Sequence, residues 1–252
     1  MEGVKHPSVS IVLPTYNERE NIPIFIGQLG EAFRDYPYEI IIVDDTSPDG
    51  TGEAVKKLSE KNPNIRLITR AVKQGIGAAL REGYNAARHE IIVSSDADLS
   101  FQASDLVRLV EAVNQGSDLA LGSRHSQGSF YEAPNAVIRR KRFISRAGNV
   151  VIRLFFGLPL HDFSANCRAI RREVWQRINT TENTNTLLLE MILRCYYQSL
   201  RVTELPVSFL DRRFGCSKLH LSKEAPKFLL KMIKYRIQYL GKRPKKRAAD
   251  HG

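Results

Sequence analysis

From residue 9 to residue 124, short runs rich in β-branched residues alternate with segments whose apolar residues recur at helical spacing. This alternation restricts the fold more than any other feature, because it builds a mostly parallel sheet covered on both faces by helices. Val9-Ser10-Ile11-Val12-Leu13 is a first strand, stopped by Pro14-Thr15-Tyr16-Asn17-Glu18. Ile22, Phe25, Ile26, Leu29 and Phe33 then line one helix face. Residues 38–43 form a second strand ending in Asp44-Asp45, with a helix through Ala54, Val55 and Leu58 after it. Residues 65–68 form a third strand, and Gly75-Ile76-Gly77 opens the helix that follows, the glycines serving close packing. Ile91-Ile92-Val93-Ser94-Ser95 is the fourth strand and ends in Asp96-Ala97-Asp98; Leu106, Leu109, Val110 and Val113 mark the next helix and residues 118–124 the next strand.

Beyond residue 125 the rhythm changes. Residues 125–135 read as a polar loop of the lid type, and Arg139-Arg140-Lys141-Arg142 leads into a helix through Val150, Val151, Leu154 and Phe155. A strand within 165–174, a helix over 186–197, a strand over 202–210, a basic turn at 213–218 and a last helix over 226–240 complete the expectation.

At 252 residues the chain can bury one sizeable core. Cys167, Cys195 and Cys216 are far apart and outside any CxxC pattern, against a disulfide framework or structural zinc and in favour of a reducing compartment. The first nine residues lack a signal-peptide pattern, and no apolar run reaches the roughly 18–20 residues of a membrane span. Residues 212–252 hold 13 Lys+Arg against 2 Asp+Glu, whereas residues 1–211 hold 25 of each, so the whole net charge of +11 lies in the tail. A neutral body with a basic end suits an anionic surface better than it suits a fold that reads nucleic acid.

Acids end two strands, Asp44/Asp45 and Asp96/Asp98, and Asn17-Glu18 follows a third. In one parallel sheet these ends converge on one edge, where open α/β sheets bind ligands. If the chain stays extended, Asp96 and Asp98 lie roughly 6.6 Å apart along the strand, so for both to serve one cation either the chain turns or one acid acts through water or substrate. Helix or turn capping is the competing reading of each pair. The converging acids describe a pocket for a nucleotide and a hard cation such as Mg²⁺ or Mn²⁺.

Pro14-Thr15-Tyr16-Asn17-Glu18, Val43-Asp44-Asp45 with Ser47-Pro48-Asp49-Gly50-Thr51, Asp96-Ala97-Asp98, Gly122-Ser123-Arg124, and Arg212 with Gly215-x-Ser217-Lys218 together resemble the family 2 glycosyltransferases of GT-A fold. Within these, the likeness is to the dolichyl-phosphate (polyprenyl-phosphate) mannose synthases and runs from about residue 9 to residue 221. The resemblance implies an α/β GT-A catalytic domain over residues 1–221, with residues 222–252 a basic amphipathic helix and tail. It implies inverting transfer of mannose from GDP-mannose to a polyprenyl phosphate, with Mg²⁺ or Mn²⁺ as cofactor. By matched positions, Pro14, Tyr16, Glu18, Val43 and Asp45 hold the nucleoside, and Asp96, Ala97 and Asp98 hold metal and diphosphate. Arg124, Arg212 and Lys218 contact phosphates, and Lys141, Arg142 and Ser145 match the acceptor-phosphate segment. Two departures bear on sugar identity: Asn166-Cys167 stands where the family carries a glycine–aromatic pair before Arg168, and Phe101-Gln102-Ala103 replaces a His/Pro-rich segment.

Lys227, Lys231 and Lys234 recur on one side of the last helix, with Phe228, Leu229, Met232, Ile237 and Leu240 on another. Such a helix can lie in a membrane interface or dock on the domain with a solvated lysine face. The partners expected are a nucleotide-sugar, the lipid phosphate and a membrane surface, reached directly or through a small membrane subunit, on the cytoplasmic face of the endoplasmic reticulum or plasma membrane. Glu190, inside an apolar helix, faces either the sugar or a salt bridge, and His161 and His220 read as structural. Rival readings are a UDP-sugar transferase on the same fold and a noncatalytic polyanion-binding module.

Overall fold

The computed structural model describes residues 6–212 and 221–241, the side chains of 221–226 excepted. Lys218, His220, Cys216, the basic turn over 213–218 and the closing basic run lie outside the described residues. Seven strands form the main sheet: β1 (Val9–Thr15), β2 (Tyr38–Asp44), β3 (Ile65–Thr69), β4 (Ile91–Ser95), β5 (Leu119–Ser123), β7 (Cys167–Arg171) and β8 (Val202–Pro206), in the order β3-β2-β1-β4-β7-β5-β8. All neighbours pair in parallel except β7, which runs antiparallel to both β4 and β5. The inner strands β1, β2, β4 and β5 are almost wholly buried while the edges β3 and β8 are mostly half-exposed, as near-continuous apolar runs predict for a sheet covered on both faces. Val12, Ile41, Val43, Ile92 and Leu121 face one core, and Ile11, Leu13, Ile40, Ile42, Val93 and Ala120 the other. The first core is covered by α3 (Ile76–Ala86), α5 (Ala136–Phe156), α6 (Arg172–Ile178), α7 (Thr186–Tyr197) and α8 (Leu221–Gln238). The second is covered by α1 (Asn21–Ala32), α2 (Thr51–Ser59) and α4 (Ala103–Asn114).

Several local features differ from the expectation for physical reasons. Pro14 lies inside β1 rather than ending it. The Thr15 carbonyl accepts from the Asp45 N–H at 3.1 Å, so Thr15 turns its backbone groups towards β2 and Pro14 turns its own towards β4, where pairing has stopped at Val12. The segment read as a lid carries β6 (Phe130–Tyr131), which pairs in parallel with β9 (Ser208–Phe209) and is pinned by that long-range ladder. Two-residue strands are too short to show a period. Helix α6 escaped notice because its buried Val174, Trp175 and Ile178 fill little more than one turn.

The last helix begins at Leu221 and docks. Met232, Tyr235 and Tyr239 join the first core, Tyr239 stacks on Tyr197 at 4.0 Å, and Glu182 accepts from Lys231 Nζ at 2.8 Å and the Tyr235 hydroxyl at 3.1 Å. Leu229, Leu230, Ile233, Ile237 and Leu240 remain outside. Among the described residues no helix is long and apolar enough to cross a membrane, and Cys167 and Cys195 are buried and free.

Gly77 confirms close packing at the start of α3. A Cβ there would overlap the Asn183–Thr184 backbone, and the Ala78 N–H reaches the Asn183 carbonyl at 2.9 Å. Gly77→Ala is therefore expected to destabilise the protein by about 1–3 kcal/mol, read as a lower urea midpoint with an unchanged slope.

Candidate active site

Strands β1 and β4 are neighbours, but the chain reaches β4 only after running outward through β2 and β3. Their carboxyl ends therefore flank a topological switch point, where the connecting segments part and leave a crevice. At each of the three strand ends bordering it the chain turns through a left-handed non-glycine residue: Asn17 (φ 59°) after β1, Thr46 (φ 51°) after β2 and Leu99 (φ 64°) after β4. Such conformations cost of order 1–3 kcal/mol each and are kept where the surroundings enforce them. The chain already bends at Ala97 and Asp98, before Leu99, so the extended spacing does not hold between the paired acids.

On the β1/β2 side, Asp44 and Asp45 separate into two roles. Asp44 accepts from the Thr15 hydroxyl at 3.1 Å, the Ser47 N–H at 3.0 Å and the Ser47 hydroxyl at 2.5 Å, which is turn capping. Asp45, also buried, pairs with Arg70, whose guanidinium is shared with Glu82 at 3.0 Å and Gln74 at 3.3 Å. Burial raises the Asp45 carboxyl above its ordinary range, against the pull of Arg70 and Lys73. Lys73 Nζ sits 3.3 Å over the centroid of the half-buried Tyr16 ring, a cation–π contact. Pro14 is half-buried beside them, and Glu18 accepts from Asn21 Nδ2 at 2.7 Å. The Val43 side chain is fully buried in the first core, and its carbonyl accepts from the Thr15 hydroxyl at 3.4 Å. The Val43 side chain therefore packs into the core rather than lining the crevice.

At the end of β4, Ala97 and Asp98 are buried and Asp96 half-buried. Asp98 Oδ1 accepts from the Ser100 N–H at 3.1 Å, and Oδ2 pairs with Arg212 Nε at 2.8 Å. Burial and the neighbouring Asp98 push the Asp96 carboxyl up to about 6, opposed by a hydrogen bond from Asn166 and by the charges of Arg212 and Arg124. Asp96, Asp98, Arg124 and Arg212 are thus within electrostatic reach of one another.

Arg124, just past β5, is held by Asp162. Its Nε reaches Oδ2 at 2.7 Å and its Nη2 reaches Oδ1 at 3.0 Å, a bidentate fork. Burial alone would raise Asp162, but the Arg124 charge and its bonds hold the carboxyl well below the usual range. Arg124 also borders a cavity of about 420 Å³ shared with His125, Arg142, Arg146 and Arg153. Its lining has four arginines and no carboxylate. Arg142 lies over the Tyr131 ring at 5.3 Å, Ser145 meets His125 Nε2 at 3.0 Å, and Lys141 is exposed. Burial and the adjacent arginines push His125 down to about 4, so it is neutral near pH 7.

Glu190 takes the structural alternative. It is fully buried and accepts from the Thr181 and Glu182 N–H groups at 3.0 and 2.9 Å and from Arg194 Nε at 2.9 Å. His161 likewise pairs with Glu204 at 2.7 Å. Sequence reading passed over Arg70, Lys73, His125, Arg146, Arg153 and Asp162. Arg70 and Asp162 lie 25 and 38 residues from the partners that give them meaning, and Lys73, His125, Arg146 and Arg153 meet theirs only in the folded chain.

A family profile described as "Glycosyl transferase family 2" matches residues 10–178. Polyprenol monophosphomannose synthase of Mycolicibacterium smegmatis is 33% identical over 220 residues, covering 83% of this chain and 80% of its own length. Dolichol-phosphate mannosyltransferase of Pyrococcus furiosus is 35% identical over 215 residues, 84% of this chain but 59% of the relative. Undecaprenyl-phosphate mannosyltransferase of Micrococcus luteus is 33% identical over 217 residues, 84% of this chain and 87% of the relative. Among solved structures, glucosyl-3-phosphoglycerate synthase of Mycobacterium tuberculosis, in complex with Mn²⁺, UDP and glucosyl-3-phosphoglycerate, superposes with a TM-score of 0.67 at 18% identity, covering 95% of this chain and 82% of that one. That likeness carries the fold, which is GT-A. Over most of its length, in sheet and strand-end motifs alike, this chain is a glycosyltransferase and belongs to glycosyl transferase family 2.

Proposed function

We propose that the enzyme transfers mannose from GDP-mannose to a polyprenyl phosphate, with inversion at the anomeric carbon. The observation that carries the acceptor assignment is the arginine-lined cavity beside Arg124. Three of its arginines, Arg142, Arg146 and Arg153, stand on α5, the helix that also exposes Phe143, Val150, Val151 and Leu154. Fixed cations beside an exposed apolar stripe match a phosphate joined to a hydrocarbon chain. The exposed apolar residues of α8 extend the surface offered to a membrane, so that a peripheral enzyme reaches its lipid directly or beside a small membrane subunit. The names of the relatives support mannose and the lipid phosphate.

In this reading Tyr16, Lys73 and Asp45 would take the nucleoside, with Pro14, Glu18 and Val43 contributing. Asp96 and Asp98 would hold a divalent cation. The fit rests on the donor set, two hard carboxylates at one strand end, one already drawing the cationic Arg212. When bound, Mg²⁺ or Mn²⁺ would offset charge on the departing diphosphate. Arg212 would contribute to the same end, with Lys218 from the segment after it. Arg124, fixed by Asp162, is within electrostatic reach of Asp96 and borders the arginine cavity.

An acceptor monoester has a second pKa near 6 and is mostly dianionic at pH 7. Its oxygen therefore attacks the anomeric carbon without a protein base, the bond from that carbon to the diphosphate breaks, and GDP leaves with the electron pair. The residues align the two phosphates and neutralise them.

Turnover with GDP-mannose, UDP-glucose and UDP-galactose, each against a short-chain polyprenyl phosphate with Mg²⁺, tests the reading. The expected result is a clear preference for GDP-mannose. Equal or better turnover with a UDP-sugar refutes the donor, and none with any donor refutes the acceptor. Arg142→Ala and Arg146→Ala should each raise the KM for lipid phosphate roughly 10- to 100-fold, as loss of a charged hydrogen bond worth about 1.5–3 kcal/mol predicts, while the KM for the donor stays unchanged.

A further inference from the structure

Strand β7 enters the sheet beside the end of β4, pairing Cys167 with Ser95 and Arg168 with Ser94. That register brings Asn166, only 2% exposed, to the side of Asp96. Both ends of its amide are engaged. Nδ2 donates to Asp96 Oδ1 at 3.1 Å, and Oδ1 accepts from the Ser94 hydroxyl at 2.7 Å. The orientation follows from chemistry, since a carboxylate accepts only and must face the amide N–H. Ser94 then spends its single proton on Asn166, so the Tyr84 hydroxyl, 2.7 Å away, is the donor to Ser94. The result is a one-way series of donors, Tyr84 to Ser94 to Asn166 to Asp96, each bond polarising the next.

Its far end is rigid. Tyr84 is 1% exposed, meets Trp175 edge-on at 4.7 Å, and follows Gly83, where a Cβ would press on Val12 and Val43. Trp175 in turn donates to Asn85 at 2.8 Å. An otherwise costly buried amide is thus satisfied by ordering a carboxylate at the crevice.

We infer that Asn166, backed by Ser94 and Tyr84, is a positioning residue that fixes the Asp96 carboxylate for the divalent cation and thereby sets the affinity for that cation. This assigns a role to the departure at residues 166–167, and it rests on the reading of Asp96 and Asp98 as cation ligands. Outer hydrogen-bond partners of metal ligands typically account for 10- to 100-fold in affinity.

The test is titration of the full chain with Mn²⁺, alone and with GDP, followed by electron paramagnetic resonance. Asn166→Ala should weaken Mn²⁺ binding roughly 10- to 100-fold, and Tyr84→Phe by a smaller factor in the same direction, with the thermal midpoint of Tyr84→Phe and its KM for lipid phosphate close to wild type. Asp98→Asn is the control. If Asp98→Asn loses Mn²⁺ while Asn166→Ala and Tyr84→Phe bind as wild type does, the positioning role is overturned and the cation site stands. If wild type fails to bind, or Asp98→Asn binds equally well, both are overturned. Should Asn166→Ala fail to fold, Ser94→Ala and Tyr84→Phe carry the test, and unchanged affinity in those two overturns the inference.

Discussion

Asp98→Asn is expected to fold normally and to lose sugar transfer by on the order of 10²- to 10³-fold, the range for removing one preorganised electrostatic group from a site where charge develops. The substitution keeps the shape of the side chain, and its carbonyl oxygen can still accept from the Ser100 N–H, now at 3.1 Å. What disappears is the negative charge that pairs with Arg212 at 2.8 Å and that would anchor a cation under the diphosphate. Initial rates at saturating Mn²⁺, with circular dichroism to confirm the fold, check the outcome. A rate within a few-fold of wild type would show that the acids at the end of β4 serve the backbone turn alone.

Asp162→Ala should be the most destabilising single change in the crevice, by about 3–5 kcal/mol, because it leaves the largely buried Arg124 without its counter-ion. For a chain of this size that corresponds to a fall in Tm of roughly 6–20 °C. The Asp162 side chain is fully buried and also accepts from the Ser164 and Ala165 N–H groups at 3.1 and 3.2 Å. Its folded pKa lies below the unfolded value of about 3.9. Its contribution is therefore complete well above pH 4 and is lost as pH falls from there towards the depressed folded value. Urea midpoints for wild type and Asp162→Asn should differ most between pH 5 and 7, with the gap narrowing progressively as pH falls below about 4. A gap independent of pH would mean that packing, rather than the ion pair, is what Asp162 supplies.

The sheet was legible because its strands are buried on both faces and announce themselves as unbroken apolar runs, and the helices because their inner faces repeat at 3.6 residues. Helix α7 runs over residues 186–197, as its pattern predicts. The elements that sequence could not place are those defined by long-range pairing. Nothing local tells that β7 runs against its neighbours, or that Phe130–Tyr131 meets Ser208–Phe209. The same division holds in the crevice. Asp96 and Asp98 were visible as acids at a strand end, and the resemblance supplied Arg124 and Arg212. The partners that set their geometry, Asp162 from 38 residues away and Asn166 from 70, became visible only when β7 and the loop before it were in place. Asp44 shows the converse. It looks like a ligand next to Asp45, yet its oxygens are spent on Thr15 and Ser47.

In the proposed mechanism the acids at the end of β4 hold the cation and diphosphate of a nucleotide-sugar, and the acceptor phosphate lies in the arginine cavity. Anomalous scattering from Mn²⁺ in crystals soaked with GDP-mannose tests it most directly. The predicted result is a manganese peak bound to Asp96 or Asp98 and to the diphosphate, with the guanosine beside Tyr16 and Asp45. A nucleotide lodged instead among Arg142, Arg146 and Arg153, with no manganese at the end of β4, would rule out these roles for Asp96 and Asp98.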